Sequence, residues 1–301
     1  MRVFYSDTYE VPLPSGHRFP MAKYRLLRER LLEEGVLSPA ELCESEPVSR
    51  EDLLNAHTES WVSRVFDGTL TGAEVRRLGF PWSPALVLRS RASVGGTLEA
   101  ARRALAGDGI SGNLAGGTHH GFADHGEGYC VFNDIAVAIR TLQRERRIRR
   151  AAVVDLDVHQ GNGTAAIFAG DDSVFTFSMH GEHNFPFRKQ PSSRDVGLPD
   201  GTGDGEYLDL LARHLPEVLE ASMADLLFYQ GGVDALAEDA LGRLSMTHEG
   251  LRARDRMVLE AAWCRGMPVV LTLGGGYAKP LSATVDAHVG TWREVKARLE
   301  R

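Results

Sequence analysis

Short apolar runs that end in glycine, aspartate or histidine recur along this chain, separated by amphipathic segments. The runs are Val3-Phe4-Tyr5, Asn113-Leu114-Ala115, Ala152-Val153-Val154, Val174-Phe175-Thr176-Phe177, Leu226-Leu227-Phe228-Tyr229 and Val269-Val270-Leu271-Thr272-Leu273. Their length and their β-branched and aromatic content predict buried strands. In AKYRLLRERLLEEG, from Ala22, the leucines 26, 27, 31 and 32 fall at helical spacing and Gly35 ends the turn. Ser49 with Asp52 three residues on predicts one helix start, and Ser83-Pro84 predicts another. Further helices are expected over NDIAVAIRTLQRER, GEYLDLLARHLPEVLEAS and THEGLRARDRMVLEAAW. Strands joined through helices imply a parallel sheet covered on both faces, an α/β class of fold. No repeat, low-complexity tract or linker interrupts the 301 residues, which read as one domain spanning 1–301.

The residues just beyond these runs are unusual. Asn113-Leu114-Ala115 leads into Gly116-Gly117-Thr118-His119-His120, and Leu226–Tyr229 into Gln230-Gly231-Gly232-Val233-Asp234. Val269–Leu273 leads into Gly274-Gly275-Gly276-Tyr277, and Ala152-Val153-Val154 into Asp155, Asp157 and His159. In the last case Leu156 and Val158 alternate with the polar residues, so an extended chain would turn all three polar side chains one way. Ligands of open α/β sheets bind outside the carboxyl ends of the strands, so four strands deliver these residues to one rim. Two acids and an imidazole there are costly unless something neutralises them. Asp157, His159 and Asp234 make an oxygen/nitrogen set with room for a fourth position, the pattern of a catalytic zinc. His119 and His120 suit proton handling beside such a metal, and Tyr277 suits donation to a developing oxyanion. The triple glycine lacks the continuation of a phosphate-binding loop.

Composition removes other classes. A net charge of -7 argues against nucleic acid or an anionic membrane as partner. The run Arg144–Arg150 falls where a helix C-terminus is expected, where cations are favourable. Three scattered cysteines read as reduced thiols, and with no apolar leader or spanning run the expected location is cytoplasmic.

Taken together, GGTHH at 116–120, GYCVFND at 128–134, DLDVHQGNG at 155–163, SMH at 178–180, GGVDALAED at 231–239 and LGGGY at 273–277 resemble the zinc-dependent histone deacetylase family over nearly the whole length. HRFPMAKY and EDALGRLS look most like its class IV branch and bacterial relatives. The resemblance implies a three-layer α/β/α arginase/deacetylase fold with a mostly parallel sheet of about eight strands. It implies one Zn2+ held by Asp157, His159 and Asp234, with His120 as general base and then acid. His119 would be an electrostatic partner oriented by Asp155, and Tyr277 would polarise the scissile carbonyl. A structural K+ (or another monovalent cation) would bind Asp155, Ser178, the Met179 carbonyl and the backbone oxygens of Asp157 and His159. Gly128 and Tyr129 would form one wall of an acyl-lysine tunnel and Phe185 or Phe187 the other, with Gly275 and Gly276 beside the substrate. Lys23 would lie near the floor, and the segments 68–84 and 180–199 would frame the entrance.

One letter departs from the family pattern: Asn162 stands where most members have an Asp behind the second histidine, which predicts a lower pKa for His120. The implied activity is hydrolysis of an acyl-lysine in a peptide or protein, or of a similar acylated primary amine. Alternatives are deacetylation of a small molecule such as an acetylpolyamine, and a catalytically silent acyl-lysine binder. A binuclear manganese ureohydrolase shares the fold, but it needs a carboxylate two residues after His159, where this chain has Gly161.

Overall fold

The computed structural model describes residues 1–300. The strands are β1 (Val3–Tyr5), β2 (Leu42–Glu44), β3 (Ile110–Asn113), β4 (Ala151–Asp155), β5 (Val174–Gly181), β6 (Arg194–Leu198), β7 (Leu226–Gln230) and β8 (Val269–Thr272). The helices are α1 (Ala22–Glu33), α2 (Arg50–Leu53), α3 (Glu59–Asp67), α4 (Gly72–Leu78), α5 (Pro84–Arg103), α6 (Asp134–Arg144), α7 (Asn162–Ile167), α8 (Asp204–Ser222), α9 (His248–Trp263) and α10 (Leu281–Leu299). The strands form one sheet in the order β2-β1-β3-β8-β7-β4-β5-β6, and every pairing is parallel.

Both faces are buried, as a parallel sheet with crossover helices requires. Along β4, Ala152 and Val154 join one apolar layer while Ala151 and Val153 join the other; Leu227 and Tyr229 of β7 oppose Leu226 and Phe228 in the same way. The first layer collects α1, α8, α9 and α10, the second α2, α3, α5 and α6. Two expected helix starts form as read. Ser49 and Asp52 close a reciprocal capping box on α2, and the Ser83 hydroxyl accepts the Leu86 N–H ahead of α5. No helix among the described residues is long and apolar enough to cross a membrane.

Several expectations need correction. The third strand is Ile110–Asn113, not Asn113–Ala115. Its Ile-Ser-Gly-Asn sequence carries too little apolar signal to reveal it. The edge strands β2 and β6 pass unseen, β2 because it is only three residues long and β6 because RDVGL is half polar. Segment 180–199 is therefore only partly a loop. The chain also does not stay extended through DLDVH, since β4 ends at Asp155. Asp155 Oδ1 accepts the Asp157 N–H at 3.2 Å, and Asp157 Oδ1 accepts the His159 N–H at 3.0 Å. These successive two-residue turns, rather than alternation along a strand, keep the three polar residues together.

Candidate functional site

The rim receives its residues as the strand ends imply. Asp157, His159 and Asp234 each offer a ligand atom, all within 4.8 Å of one another and all buried. His159 Nδ1 lies 3.0 Å from Asp157 Oδ1 and 3.0 Å from Asp234 Oδ2. The outer oxygens are anchored: Asp157 Oδ2 accepts the Gly275 N–H at 2.7 Å and the Gln230 amide at 3.0 Å, and Asp234 Oδ1 accepts the Val158 N–H at 2.8 Å. A side chain at Gly275 or Gly232 would collide with these carboxylates, so glycine there makes room for the cluster.

Its electrostatics are unbalanced. Burial and then the Asp157 charge push Asp234 up to about 7. Burial would lower the His159 imidazole, but Asp157 and Asp234 outweigh it and carry it up to about 10. Two carboxylates sharing a dry site resist joint ionisation, and a cation between them removes the conflict.

The adjacent histidines have different supports. Their rings lie 4.1 Å apart, centre to centre. His119 Nδ1 donates to Asp155 Oδ2 at 2.7 Å, and although burial opposes charge, Asp155 and Asp157 raise it to about 9. His120 Nδ1 donates to Asn162 Oδ1 at 2.7 Å, and the amide nitrogen of Asn162 donates to Glu127 at 3.3 Å. Burial, together with the neighbouring His119 and His159, holds His120 well below the ordinary imidazole range. The Asn162 amide thus fixes the tautomer with its Nε2 lone pair free.

These groups open into a cavity of about 480 Å³. Its walls include Tyr129, Phe185, Phe187, Tyr277 and Gly128. Phe185 stands edge-on to His120 with centres 5.0 Å apart, whereas Phe187 is 86% exposed, so Phe185 is the inner wall and Phe187 belongs to the mouth. At Gly128, where φ is +55°, a Cβ would come within 2.7 Å of the His120 ring. Tyr277 is held by its N–H to Asp239 at 2.6 Å, and burial keeps its phenol protonated. Gly275 lines the cavity, while Gly276 sits behind it against Thr284 and Val233. Lys23, fully buried, donates to the Gly274 carbonyl at 3.1 Å under the Tyr277 ring. Ser178 pairs in register with Asp155, but its hydroxyl is engaged by His180 Nδ1 at 2.9 Å; Met179 is buried beside it.

Three supporting residues escaped sequence reading. Asp134 gathers the Gly117 and Thr118 N–H groups and the Thr97 and Thr118 hydroxyls, fixing the GGTHH turn. Gln230 joins Asp157 to the Gly232 N–H. Arg254, wholly buried on α9, donates to the carbonyls of Leu156 at 3.2 Å and Gly232 at 2.6 Å, tying together the loops that carry Asp157 and Asp234. Its charge is met by Asp255 at 2.7 Å. An Arg-Asp pair inside a helical pattern of mixed charge carries no signal that separates it from a solvated face.

An all-parallel eight-stranded sheet, helix-covered on both faces and carrying this buried Asp-His-Asp cluster at its carboxyl rim, is the arginase/deacetylase fold. The Histone deacetylase domain model matches residues 17–292. An uncharacterized protein of Picosynechococcus sp. is 47% identical over 286 residues, covering 95% of each chain. A histone deacetylase-like amidohydrolase of Pseudomonas aeruginosa is 30% identical, with 89% of this chain and 74% of that protein covered. The crystal structure of a histone deacetylase homologue from Aquifex aeolicus superposes with a TM-score of 0.84 at 26% identity, covering 98% of this chain and 84% of the other. The chain belongs to the histone deacetylase family, a family of deacetylases and amidohydrolases.

Proposed function

We propose that this protein is a zinc-dependent deacylase that hydrolyses the amide of an acyl-lysine or a similar acylated primary amine. The observation that carries the reading is the meeting, in one cavity, of the Asp157-His159-Asp234 cluster with His119, His120 and Tyr277. The donor set fits zinc: two carboxylates and one imidazole, all buried within ligand distance of one another, and space cleared at Gly232 and Gly275. Bound there, zinc would act as a Lewis acid toward the carbonyl and toward the attacking water.

The chain's own groups perform the remaining work. His120, neutral and with Nε2 free, takes the proton of the attacking water and later delivers it to the departing amine. Asn162 keeps its ring oriented for both steps. His119, charged through Asp155, is an electrostatic partner to its neighbour. The Tyr277 hydroxyl donates to the carbonyl oxygen as negative charge grows on it. Tyr129 and Phe185 bracket the acyl-bearing chain and exclude water, with Gly128 leaving room between them. The same reading places a monovalent cation at Asp155 and Ser178 with the carbonyls of Met179, Asp157 and His159; the register of Asp155 against Ser178 supports it.

The test is zinc content by elemental analysis together with turnover of fluorogenic acetyl-lysine peptide, longer acyl peptides and acetylpolyamines. Stoichiometric zinc and turnover of an acyl-lysine peptide are expected. A zinc-replete protein inert toward the whole panel would favour a silent binder instead.

A further inference from the structure

The cavity whose floor holds the Asp-His-Asp cluster is rimmed by arginine. Arg18 comes from the segment before α1, Arg76 and Arg77 from α4, and Arg243 from the segment after β7; all four line the cavity and all four are exposed. Asp157, on the floor, is the only carboxylate among the lining residues.

Nearby acids offset this charge only at Arg243, which pairs with Asp200. Glu74, on the same helix as Arg76 and Arg77, is committed to Arg64 and to the Thr71 cap. Glu127 accepts from the neutral Asn162 amide and is not among the residues lining the cavity. Asp200 is shared between Arg243 at 3.2 Å and His183 at 3.3 Å. Arg18, Arg76 and Arg77 have no side-chain hydrogen bond or ion pair among the described residues. The C-terminal turn of α4 accounts for cations at 76 and 77 through the helix dipole. It accounts for neither Arg18 nor Arg243, which arrive from elsewhere. A protein with net charge -7 therefore gathers arginine at the opening of its cavity.

Resting on the deacylase reading, we propose that the substrate is an acylated lysine set in an acidic polypeptide segment, whose carboxylates meet Arg18, Arg76, Arg77 and Arg243. The arginines stand on three separate stretches of chain around the opening. A polypeptide carrying several carboxylates beside its acylated lysine can meet more than one of them at once, which a single acylamine without acidic groups cannot. A lysine- and arginine-rich tail, or a cationic polyamine, would meet like charge at the same rim.

The experiment uses acetyl-lysine peptides identical but for flanks of aspartate and glutamate, of serine and glycine, or of lysine and arginine, together with acetylspermidine. Turnover is measured on the zinc-loaded enzyme, and binding of the fluorescently labelled peptides by anisotropy on His120→Ala. The acidic peptide is expected to exceed the basic one by about tenfold in both kcat/KM and affinity at low salt, narrowing several-fold at about 0.5 M salt. The double variant R76E/R77E should abolish the preference, because its two glutamates offset Arg18 and Arg243. Its melting temperature, expected to fall by no more than a few degrees because both side chains are exposed although acids are unfavourable at the end of α4, shows that it folds. An acidic preference in binding without turnover would uphold this proposal while sinking the deacylase reading. Binding indifferent to the flanks, or a preference for basic peptide or acetylspermidine, overturns the proposal whatever the turnover.

Discussion

The floor and the mouth of this cavity carry opposite charge and are held by opposite means. The floor gathers Asp155, Asp157, Asp234 and Asp239, each fixed by backbone N–H groups or side chains that are themselves buried. The mouth gathers arginines and Phe187 that touch little and stand in water. Low dielectric makes each floor charge expensive to misplace, so the fold surrounds it with partners. Screened charges at the mouth need no such support, and individually contribute little. Substitutions should therefore act through geometry and protonation on the floor, and through encounter and affinity at the mouth.

The largest effect is expected from Asp234→Asn. Zinc retention should be lost and turnover should fall to that of metal-free protein, measured by elemental analysis and peptide hydrolysis. Stability should move the other way. Because burial and Asp157 raise Asp234 to about 7, well above its unfolded value, its contribution is fully present at low pH and is lost as pH rises from about 4 through about 7. Without metal at pH 8, the neutral Asn should thus melt a few degrees above wild type, while zinc should stabilise only wild type. A metal-free variant that melts lower would break the account of the floor as a repulsive site awaiting a cation.

Arg254→Met tests the support beneath that floor. Removing the guanidinium leaves Asp255 buried with only the Tyr229 and Thr291 hydroxyls, and releases the Leu156 and Gly232 carbonyls. Breaking a buried pair of this kind costs about 3–5 kcal/mol. The two ligand loops lose their common anchor, so zinc affinity should drop about 10- to 100-fold, measured by chelator competition. Unchanged zinc affinity in a destabilised variant would confine Arg254 to packing.

How much of this was legible in the sequence divides along the same line. The floor was: its residues sit in contiguous motifs at strand ends, because backbone turns such as Asp155-to-Asp157 can only be made by near neighbours. His119 with Asp155 and His120 with Asn162 pair in the structure as the motifs imply. Arg254, Asp134 and Gln230 were not legible as supports, since their partners are backbone atoms brought near by tertiary packing. The two edge strands were too short or too polar to betray themselves. At the mouth, Arg18, Arg76, Arg77 and Arg243 are spread along more than half of the chain, so no local pattern announces that they converge.

Asn162→Asp sharpens the contrast within the floor itself, since His119 already has a carboxylate behind it and His120 does not. The amide leaves His120 well below the ordinary imidazole range through burial and its charged neighbours, so the base stays unprotonated into mildly acidic solution. An aspartate at 162 favours the imidazolium and raises the His120 pKa. The acid limb of kcat/KM should then shift to higher pH, by about one unit, with a smaller change at the plateau. Coincident limbs would show that Asn162 does not set the protonation of His120.

The smallest effects come from a pair two residues apart in one segment. Phe185 stands against His120 and lies 6.5 Å from the His159 ring, whereas Phe187 reaches into solvent. Phe185→Ala opens space beside His120, so it should lower kcat as well as raise KM, by about tenfold in kcat/KM. Phe187→Ala should leave kcat alone and raise KM by about two- to threefold, with stability changed by less than about 0.5 kcal/mol. The split follows from which ring touches the reacting groups and which touches only what arrives. Equal losses of kcat in the two variants would mean that Phe187 folds inward when substrate binds, and the line between floor and mouth would have to be drawn further out.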